Sequence, residues 1–285
     1  MNGYLTMSGL SDTEALHQLR WRDGKVAWRK WGKGPAVVLL HGGFGSWTHW
    51  IRTIPALSKN RCVLVPDMPG FGDSDDLPLD DAAEEISQAL RDGLEQLVDL
   101  RKGIDIVGFS FGTVIAGALA AMLVETGPNA LRSLSLVAPA GLGIHVRNYP
   151  DLRGMSPGMT VDEVRDMHRH NLGVVMIADP DCITDETIDL QIANTSRKRR
   201  TAKPYSRSDR LLGYCRKLPL AHVDVIMGEG DAYVRQNQPE YGQALAKLHP
   251  GLRIHTIPGG GHWVMYECPE VFNQVIQSCL EEVET

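Results

Sequence analysis

The stretch Ile104–Gly117 reads IDIVGFSFGTVIAG and carries the most informative pattern in the chain. Ile104–Val107 predicts a strand, and Thr113–Met122 predicts a helix built mainly of small and apolar residues. The residues between them follow the pattern G-x-S-x-G, in which a side chain at either glycine would collide with the neighbouring strand and helix. This order predicts a tight turn with a strained backbone at Ser110 and a hydroxyl that stands at the tip of a sheet.

Further apolar runs on both sides of this stretch predict a parallel sheet. The expected parallel strands are Ala36–Leu40, Arg61–Pro66, Leu131–Ala138, His222–Met227 and Leu252–Ile257. The expected core helices are Leu79–Leu100, Pro239–Leu248 and Pro269–Glu282. The segment His17–Trp31 predicts a hairpin with Asp23-Gly24 as its turn. Strands that alternate with helices predict an α/β fold with a mostly parallel sheet and helices on both faces.

The strand pattern is interrupted once. Residues 141–218 are charged and helical in character, with candidate helices at Thr160–Asn171 and Thr184–Arg199. Strand character returns after this segment. The sequence therefore predicts a core made of residues 1–140 and 219–285, and a helical lid (cap) insertion at residues 141–218.

Composition narrows the class of partner. The formal net charge of −6 over 285 residues gives no electrostatic reason to expect nucleic acid or an anionic membrane as a partner. The cysteines are odd in number and scattered, and no signal peptide opens the chain, so we expect a cytoplasmic location. The sequence contains no glycine motif that would bind a dinucleotide or a phosphate. It also contains no convincing set of metal ligands. We therefore expect a small-molecule substrate, no cofactor and no metal, in a chain that is compatible with a homo-oligomer.

A serine hydroxyl becomes a good nucleophile only when a base takes its proton and a third group orients that base. Both groups are found on loops that follow later strands: GEGD ends in Asp231, and PGGGH ends in His262. We assign Ser110 as nucleophile, His262 as general base and then acid, and Asp231 as the orienting carboxylate. Glu229 stays open as an alternative to Asp231.

The oxyanion formed at a substrate carbonyl needs at least two preorganised N–H donors. We expect one donor to be the backbone N–H of Phe111, the residue after the nucleophile. We expect the other from Gly43 or Phe44, in the HGGFGS segment that follows the strand Ala36–Leu40.

The combination of HGGFGS, DMPGFGDS, GFSFG, GEGD and GGGHW resembles the α/β-hydrolase superfamily, serine-nucleophile branch, from about Trp21 to Glu281. The segment GHWVMYE, followed by Phe272-Asn273, also resembles the meta-cleavage-product hydrolases, which hydrolyse a carbon–carbon bond in vinylogous 1,5-diketones. In that family the tryptophan after the catalytic histidine lines the substrate pocket. The resemblance therefore implies substrate contacts at Trp263, and at the pocket positions Phe109, His49 and Gly42.

The chain also departs from that family. Phe109 and His49 stand where the family has asparagines, and no arginine aligns with the lid arginine that binds a carboxylate. Arg197, Arg199 and Arg200 are available for that role. Because the departures remove polar contacts to a carboxylated dienol, we predict an enzyme that hydrolyses a carboxylic ester of a small or medium apolar substrate.

Three alternatives remain. One is hydrolysis of a carbon–carbon bond in a meta-cleavage product of the 2-hydroxy-6-oxo-dienoate type. Another, from a different class, is a triad-bearing receptor for a small molecule. A cofactor-free lyase or oxygenase would need His262 without depending on Ser110.

Overall fold

The computed structural model describes residues 15–144, 151–199, 203–216, 218–235 and 237–281. Its strands are β1 (Ala15–Trp21), β2 (Gly24–Trp31), β3 (Ala36–Leu40), β4 (Cys62–Pro66), β5 (Ile104–Phe109), β6 (Leu131–Val137), β7 (Val223–Gly228) and β8 (Leu252–Ile257). They form one eight-stranded sheet in the order β1-β2-β4-β3-β5-β6-β7-β8. Strands β3 to β8 run parallel, and the β1–β2 hairpin is added antiparallel at one edge.

The helices that surround or cap this sheet vary from one turn to four turns. They are α1 (Ile54–Leu57), α2 (Ala82–Leu97), α3 (Phe111–Thr126), α4 (Val161–Asn171), α5 (Asp185–Ser196), α6 (Lys203–Ser206), α7 (Arg210–Cys215), α8 (Ala232–Arg235), α9 (Gln238–Leu245), α10 (Val264–Glu267) and α11 (Pro269–Glu281). Among the described residues, no helix is both long enough and apolar enough to span a bilayer.

Both faces of the sheet are covered by apolar packing. Along β3, Val38 and Leu40 face one buried cluster, while Val37 and Leu39 face the other. This alternation follows from the two-residue period of a strand. Helices α2 and α3 contribute to the first cluster, and α1 and α11 contribute to the second. The predicted α/β class, with a mostly parallel sheet and helices on both faces, is confirmed.

The hairpin prediction is right, but its turn residues are wrong. Trp21 pairs with Gly24, so Arg22 and Asp23 form the turn, and Arg22 takes a positive φ of 52°. Gly24 opens β2 instead. A Cβ atom at this glycine would lie 2.7 Å from the end of the Leu77 side chain, which packs against the start of β2.

Between β6 and β7 the described residues form helices and no strand. Helix α4 lies where it was expected, whereas α5 ends at Ser196, three residues before the predicted end at Arg199. After Ser196 the chain leaves the helix, and Arg199 N–H donates to Gly70 O at 2.9 Å. This contact joins the 141–218 segment to the DMPGFGDS loop. That the segment acts as a lid remains a prediction.

Candidate active site

Ser110 lies at the turn between β5 and α3, with φ of 52° and ψ of −120°. The flanking glycines allow this turn. A Cβ atom on Gly108 would lie 2.6 Å from Gly112 O, and one on Gly112 would lie 2.4 Å from His41 O. The helix therefore begins directly against the end of β3, and the strained turn expected at Ser110 is present.

The loops after β7 and β8 bring two further side chains to this serine. Ser110 Oγ lies 3.0 Å from His262 Nε2, and His262 Nδ1 lies 2.7 Å from Asp231 Oδ2. Asp231 is fully buried, and its other oxygen accepts from Tyr233 N–H at 2.9 Å. Glu229, by contrast, is exposed. The side chains form a hydrogen-bonded series that can pass a proton from serine to imidazole, with Asp231 in the orienting position.

The two loops are joined through their backbones. Gly230 N–H donates to Gly260 O at 2.7 Å, and a Cβ atom on Gly228 would lie only 2.1 Å from that oxygen. Glycines in both loops therefore let the backbones approach closely enough to fix Asp231 relative to His262.

The residues expected to bind an oxyanion lie next to Ser110. Phe111 is the first residue of α3, where backbone N–H groups have no acceptor within the helix. A Cβ atom on Gly42 would lie 3.2 Å from Ser110 Cβ, which places the HGGFGS loop against the serine. Phe44 takes a positive φ of 63° and is 40% exposed, with Lys198 Nζ 3.9 Å from its ring centroid. The Gly42 N–H is already used, since it donates to His49 Nδ1 at 3.1 Å.

Aromatic side chains surround the histidine. The Phe109 ring lies 5.1 Å from the His262 ring, and the His49 ring lies 5.2 Å from Phe109. Trp263 is fully buried: its ring stacks on Tyr266 at 4.2 Å, and its indole N–H donates to His49 O at 3.0 Å. The predicted contact residues thus cluster around His262, with Trp263 packed into the core behind His49.

His49 is held in its neutral form. Burial lowers its pKa well below the ordinary value of 6.5, and the neighbouring His41 and His262 lower it further. Because Nδ1 accepts a hydrogen bond from Gly42, the proton of the neutral ring lies on Nε2. Among the described residues, this buried Nε2 has no hydrogen-bond partner.

A cavity of about 380 Å³ reaches His262 from the side of the Asp231 loop. Its lining comprises Gly173, Val174, Val175, Met176, Ile177, Ala178, Gly230, Ala232, Arg235, Gly261 and His262. Arg235 is the cationic side chain in this lining, and sequence reasoning did not identify it as a candidate site residue. Its only sequence signal is its position shortly after Asp231.

Two of the arginines that could bind a substrate carboxylate already bind other groups of the protein. Arg197 pairs with Asp73 at 2.8 Å, and the Arg199 guanidinium donates to Gly72 O at 3.3 Å and also to Ser74 O. Arg200 lies outside the described residues.

Several side chains that hold the site together were missed by sequence reasoning. Buried Asp67 accepts from Trp47 N–H at 2.8 Å and from Arg29 at 2.9 Å. Asn194, on α5, accepts from Ser46 Oγ at 2.7 Å and so ties the 141–218 segment to the HGGFGS loop. Only the DMPGFGDS motif pointed to Asp67, and nothing local pointed to Asn194.

One other cluster has the composition of a metal site. Asp224, His255 and Cys279 offer ligand atoms within 4.8 Å of one another. Asp224 already accepts from Arg253 at 2.7 Å and lies 2.8 Å from His255 Nε2. Because these partners satisfy the carboxylate, an ion pair between β7 and β8 accounts for the cluster.

Comparisons with known proteins identify the family to which the chain belongs. The model of the alpha/beta hydrolase family matches residues 37–275. A 2-hydroxy-6-oxo-6-phenylhexa-2,4-dienoate hydrolase of Burkholderia cepacia is 28% identical over 86% of this chain and 87% of its own length. A 2-hydroxy-6-oxononadienedioate/2-hydroxy-6-oxononatrienedioate hydrolase of Comamonas testosteroni is likewise 28% identical, over 86% of this chain and 87% of its own.

Among solved structures, a variant of the meta-cleavage product hydrolase CumD superposes with a TM-score of 0.72 at 21% identity, covering 93% of this chain and 98% of that one. This likeness concerns the fold. With a family model that spans most of the sequence, and the expected elbow at Ser110, the chain belongs to the alpha/beta hydrolase family.

Proposed function

We propose that this protein is a serine hydrolase that cleaves an acyl bond, with a carboxylic ester of a small or medium apolar substrate as its best candidate. The observation that carries the proposal is the series Ser110–His262–Asp231, with contacts of 3.0 and 2.7 Å. Phe109, whose buried ring lies 5.1 Å from the His262 ring, offers no hydrogen bond beside the histidine, which is compatible with an apolar substrate.

In the proposed reaction Ser110 Oγ attacks the ester carbonyl while its proton moves to His262 Nε2. Asp231 stabilises the imidazolium, and the N–H groups of Phe111 and of Gly43 or Phe44 stabilise the oxyanion. The tetrahedral intermediate then collapses, and His262 gives its proton to the departing alkoxide. Water, deprotonated by His262, attacks the acyl-enzyme, and the carboxylic acid leaves as Ser110 recovers its proton.

The first experiment replaces Ser110 by alanine and measures turnover of short-chain and medium-chain p-nitrophenyl esters. We expect kcat/KM to fall by roughly 10³- to 10⁶-fold, because the nucleophile is lost. In Asp231→Asn we expect kcat/KM to fall by roughly 10⁴-fold, because the wrong imidazole tautomer is then favoured. Exposed Glu229→Gln serves as the matched control and should keep wild-type kcat/KM. Near wild-type turnover by Ser110→Ala would show that the proposal is wrong.

The second candidate is hydrolysis of a carbon–carbon bond in a vinylogous diketone acid. Two curated relatives named as dienoate-type hydrolases favour it, and so does the cationic side chain of Arg235 in the cavity that reaches His262. Such a substrate must first be ketonised, so that the bond can break with a stabilised carbanion as leaving group. A substrate panel that compares p-nitrophenyl esters with a vinylogous diketone acid separates the candidates, since a dedicated carbon–carbon hydrolase should turn over the acid with the higher kcat/KM.

A receptor that keeps the triad without catalysis is distinguished by a fluorophosphonate probe. Labelling of Ser110, together with many turnovers per protein, supports the enzyme; stoichiometric binding without turnover supports the receptor. A cytoplasmic location and a homo-oligomeric state remain predictions.

A further inference from the structure

Glu267 is the last residue of α10 and lies five positions after His262, and its side chain is buried. Its carboxylate accepts three backbone N–H groups. Oε1 accepts from Ala178 at 2.9 Å and from Asp179 at 2.7 Å, and Oε2 accepts from Gly261 at 2.6 Å. One carboxylate thus connects the 141–218 segment to the residue directly before His262.

The residue directly after His262 is held by the same segment. Trp263 N–H donates to Met176 O at 2.8 Å. His262 therefore lies between two backbone amides, one bound to Glu267 and the other to the segment that Glu267 fixes.

The contact is too close for a side chain at position 261. A Cβ atom on Gly261 would lie 2.7 Å from Ala178 N, 2.8 Å from Glu267 Oε2 and 2.8 Å from Met176 O. The segment also meets the Asp231 loop, since a Cβ atom on Gly230 would lie 2.8 Å from Ala178 Cβ. Residues 176–178 thus contact both the loop of His262, the proposed base, and the loop of Asp231, the proposed orienting carboxylate.

The same residues form part of a cavity wall. Met176, Ile177 and Ala178 line the cavity that reaches His262. We propose that Glu267 is a positioning residue, whose carboxylate clamps residues 176–179 to the loop of His262 and so aligns the imidazole and this cavity wall together.

A carboxylate suits this position because both oxygens act only as acceptors. Glutamine has the same shape, but its amide would turn an N–H group towards either Gly261 or the Ala178–Asp179 pair. In the first case one hydrogen bond, and in the second case two, would become contacts between two donors. The catalytic part of this inference rests on the proposed role of His262, whereas the clamp itself does not.

The clamp is tested by hydrogen exchange, measured by mass spectrometry over peptides that span residues 173–182 and 258–264. In Glu267→Gln we expect the Ala178, Asp179 and Gly261 amides to exchange on the order of tenfold faster than in the wild type. Glu270→Gln, an exposed change in the first turn of α11, is the matched control and should leave both peptides unchanged. Unchanged protection in Glu267→Gln would overturn the proposal.

The effect on His262 is tested by chemical rescue. Glu267→Ala lacks the side-chain atoms that acetate reproduces in shape and charge. We expect fluorophosphonate labelling of Ser110 to slow by about 10- to 100-fold in this variant, and acetate to restore a large part of the rate. Neutral acetamide and sodium chloride should restore nothing.

Equal rescue by acetamide would show that Glu267 only fills space, and would overturn the positioning role. A wild type that is not labelled would count against Ser110 as nucleophile, while the exchange measurement would still decide the clamp. Glu267→Gln keeps the volume of the side chain. The hydrogen-exchange measurement on this variant therefore decides the clamp even if Glu267→Ala does not fold.

Discussion

The backbone at Ser110 adopts a conformation that residues other than glycine rarely take, with φ of 52° and ψ of −120°. Such a conformation costs about 1–3 kcal/mol, which the surroundings must offset. Ser110 N–H donates to Val137 O, and Thr113 N–H donates to Ser110 O, both at 2.9 Å. The turn is thus fixed by the neighbouring strand on one side and by its own helix on the other, and Oγ is aimed at His262.

Replacing His49 by asparagine should reduce the amount by which the free energy of unfolding falls on acidification. Burial and the neighbouring histidines hold the pKa of folded His49 well below 6.5. As pH falls below 6.5, the unfolded chain takes up a proton at His49 while the folded protein does not, so acidification favours unfolding. Above that pH both forms are neutral, and His49 contributes no pH dependence.

The measurement is the free energy of unfolding in urea at about pH 7 and about pH 5.5, for the wild type and for His49→Asn. One such histidine contributes a slope of up to about 1.4 kcal/mol per pH unit. The variant should therefore lose less stability between the two pH values, whatever its stability at neutral pH. Equal losses in the two proteins would contradict a neutral, buried His49.

At the scale of elements, the start of α3 depends on a glycine. A Cβ atom on Gly112 would lie 2.4 Å from His41 O and 2.6 Å from Leu40 O, which are backbone atoms at the end of β3. Gly112→Ala must therefore push the helix away from the sheet. We expect a loss of about 1–3 kcal/mol in stability, and a lower kcat because the Phe111 amide moves with the helix.

Gly127, at the other end of α3, provides the matched control. Its φ of 168° is an extended conformation that alanine also adopts, and a Cβ atom there meets nothing within 4 Å. Gly127→Ala should keep both the urea midpoint and kcat/KM of the wild type. If Gly112→Ala matched this control in both measurements, the close approach of α3 to β3 would be disproved.

The elements themselves were predictable because each one repeats a local pattern. Strands such as β3 are continuous apolar runs, and the two glycines of the elbow lie only four positions apart in sequence. The partners that assemble the site are not local. Asn194 lies 148 residues from Ser46, and Glu267 lies 89 residues from Ala178. A single sequence shows the polar side chains but not which distant backbone groups they meet.

In the turn of the hairpin, a strong local signal led to a wrong prediction. Asp23-Gly24 is a strong turn signal by itself, yet the chain turns one residue earlier, at Arg22-Asp23. Gly24 is the first residue of β2, where Leu77 packs against it across 53 positions of sequence. A local turn signal therefore predicted the hairpin but not the residues of its turn.

At the scale of the whole molecule, the two ends of the sheet carry different kinds of polar group. Ser110, Asp231 and His262 all follow the carboxyl ends of their strands. Near the opposite ends, buried carboxylates pair with arginines, as Asp105 does with Arg61 and Asp224 with Arg253. Changes in stability and changes in catalysis should therefore be separable by position along a strand.

Asp105 offers the direct test of this separation. It accepts from Arg61 at 2.8 Å, from Arg132 Nε at 2.9 Å and from Ser133 Oγ at 2.6 Å. Asp105→Ala leaves the arginines without this counter-charge and should cost about 3–5 kcal/mol in the free energy of unfolding. Ser110 lies roughly 17 Å away along the strand, so kcat of the folded protein should stay within about twofold. Glu95→Gln, which breaks the exposed pair with Arg91, should change stability by less than about 1 kcal/mol. A fall in kcat as large as that of Gly112→Ala would show that the two ends are coupled.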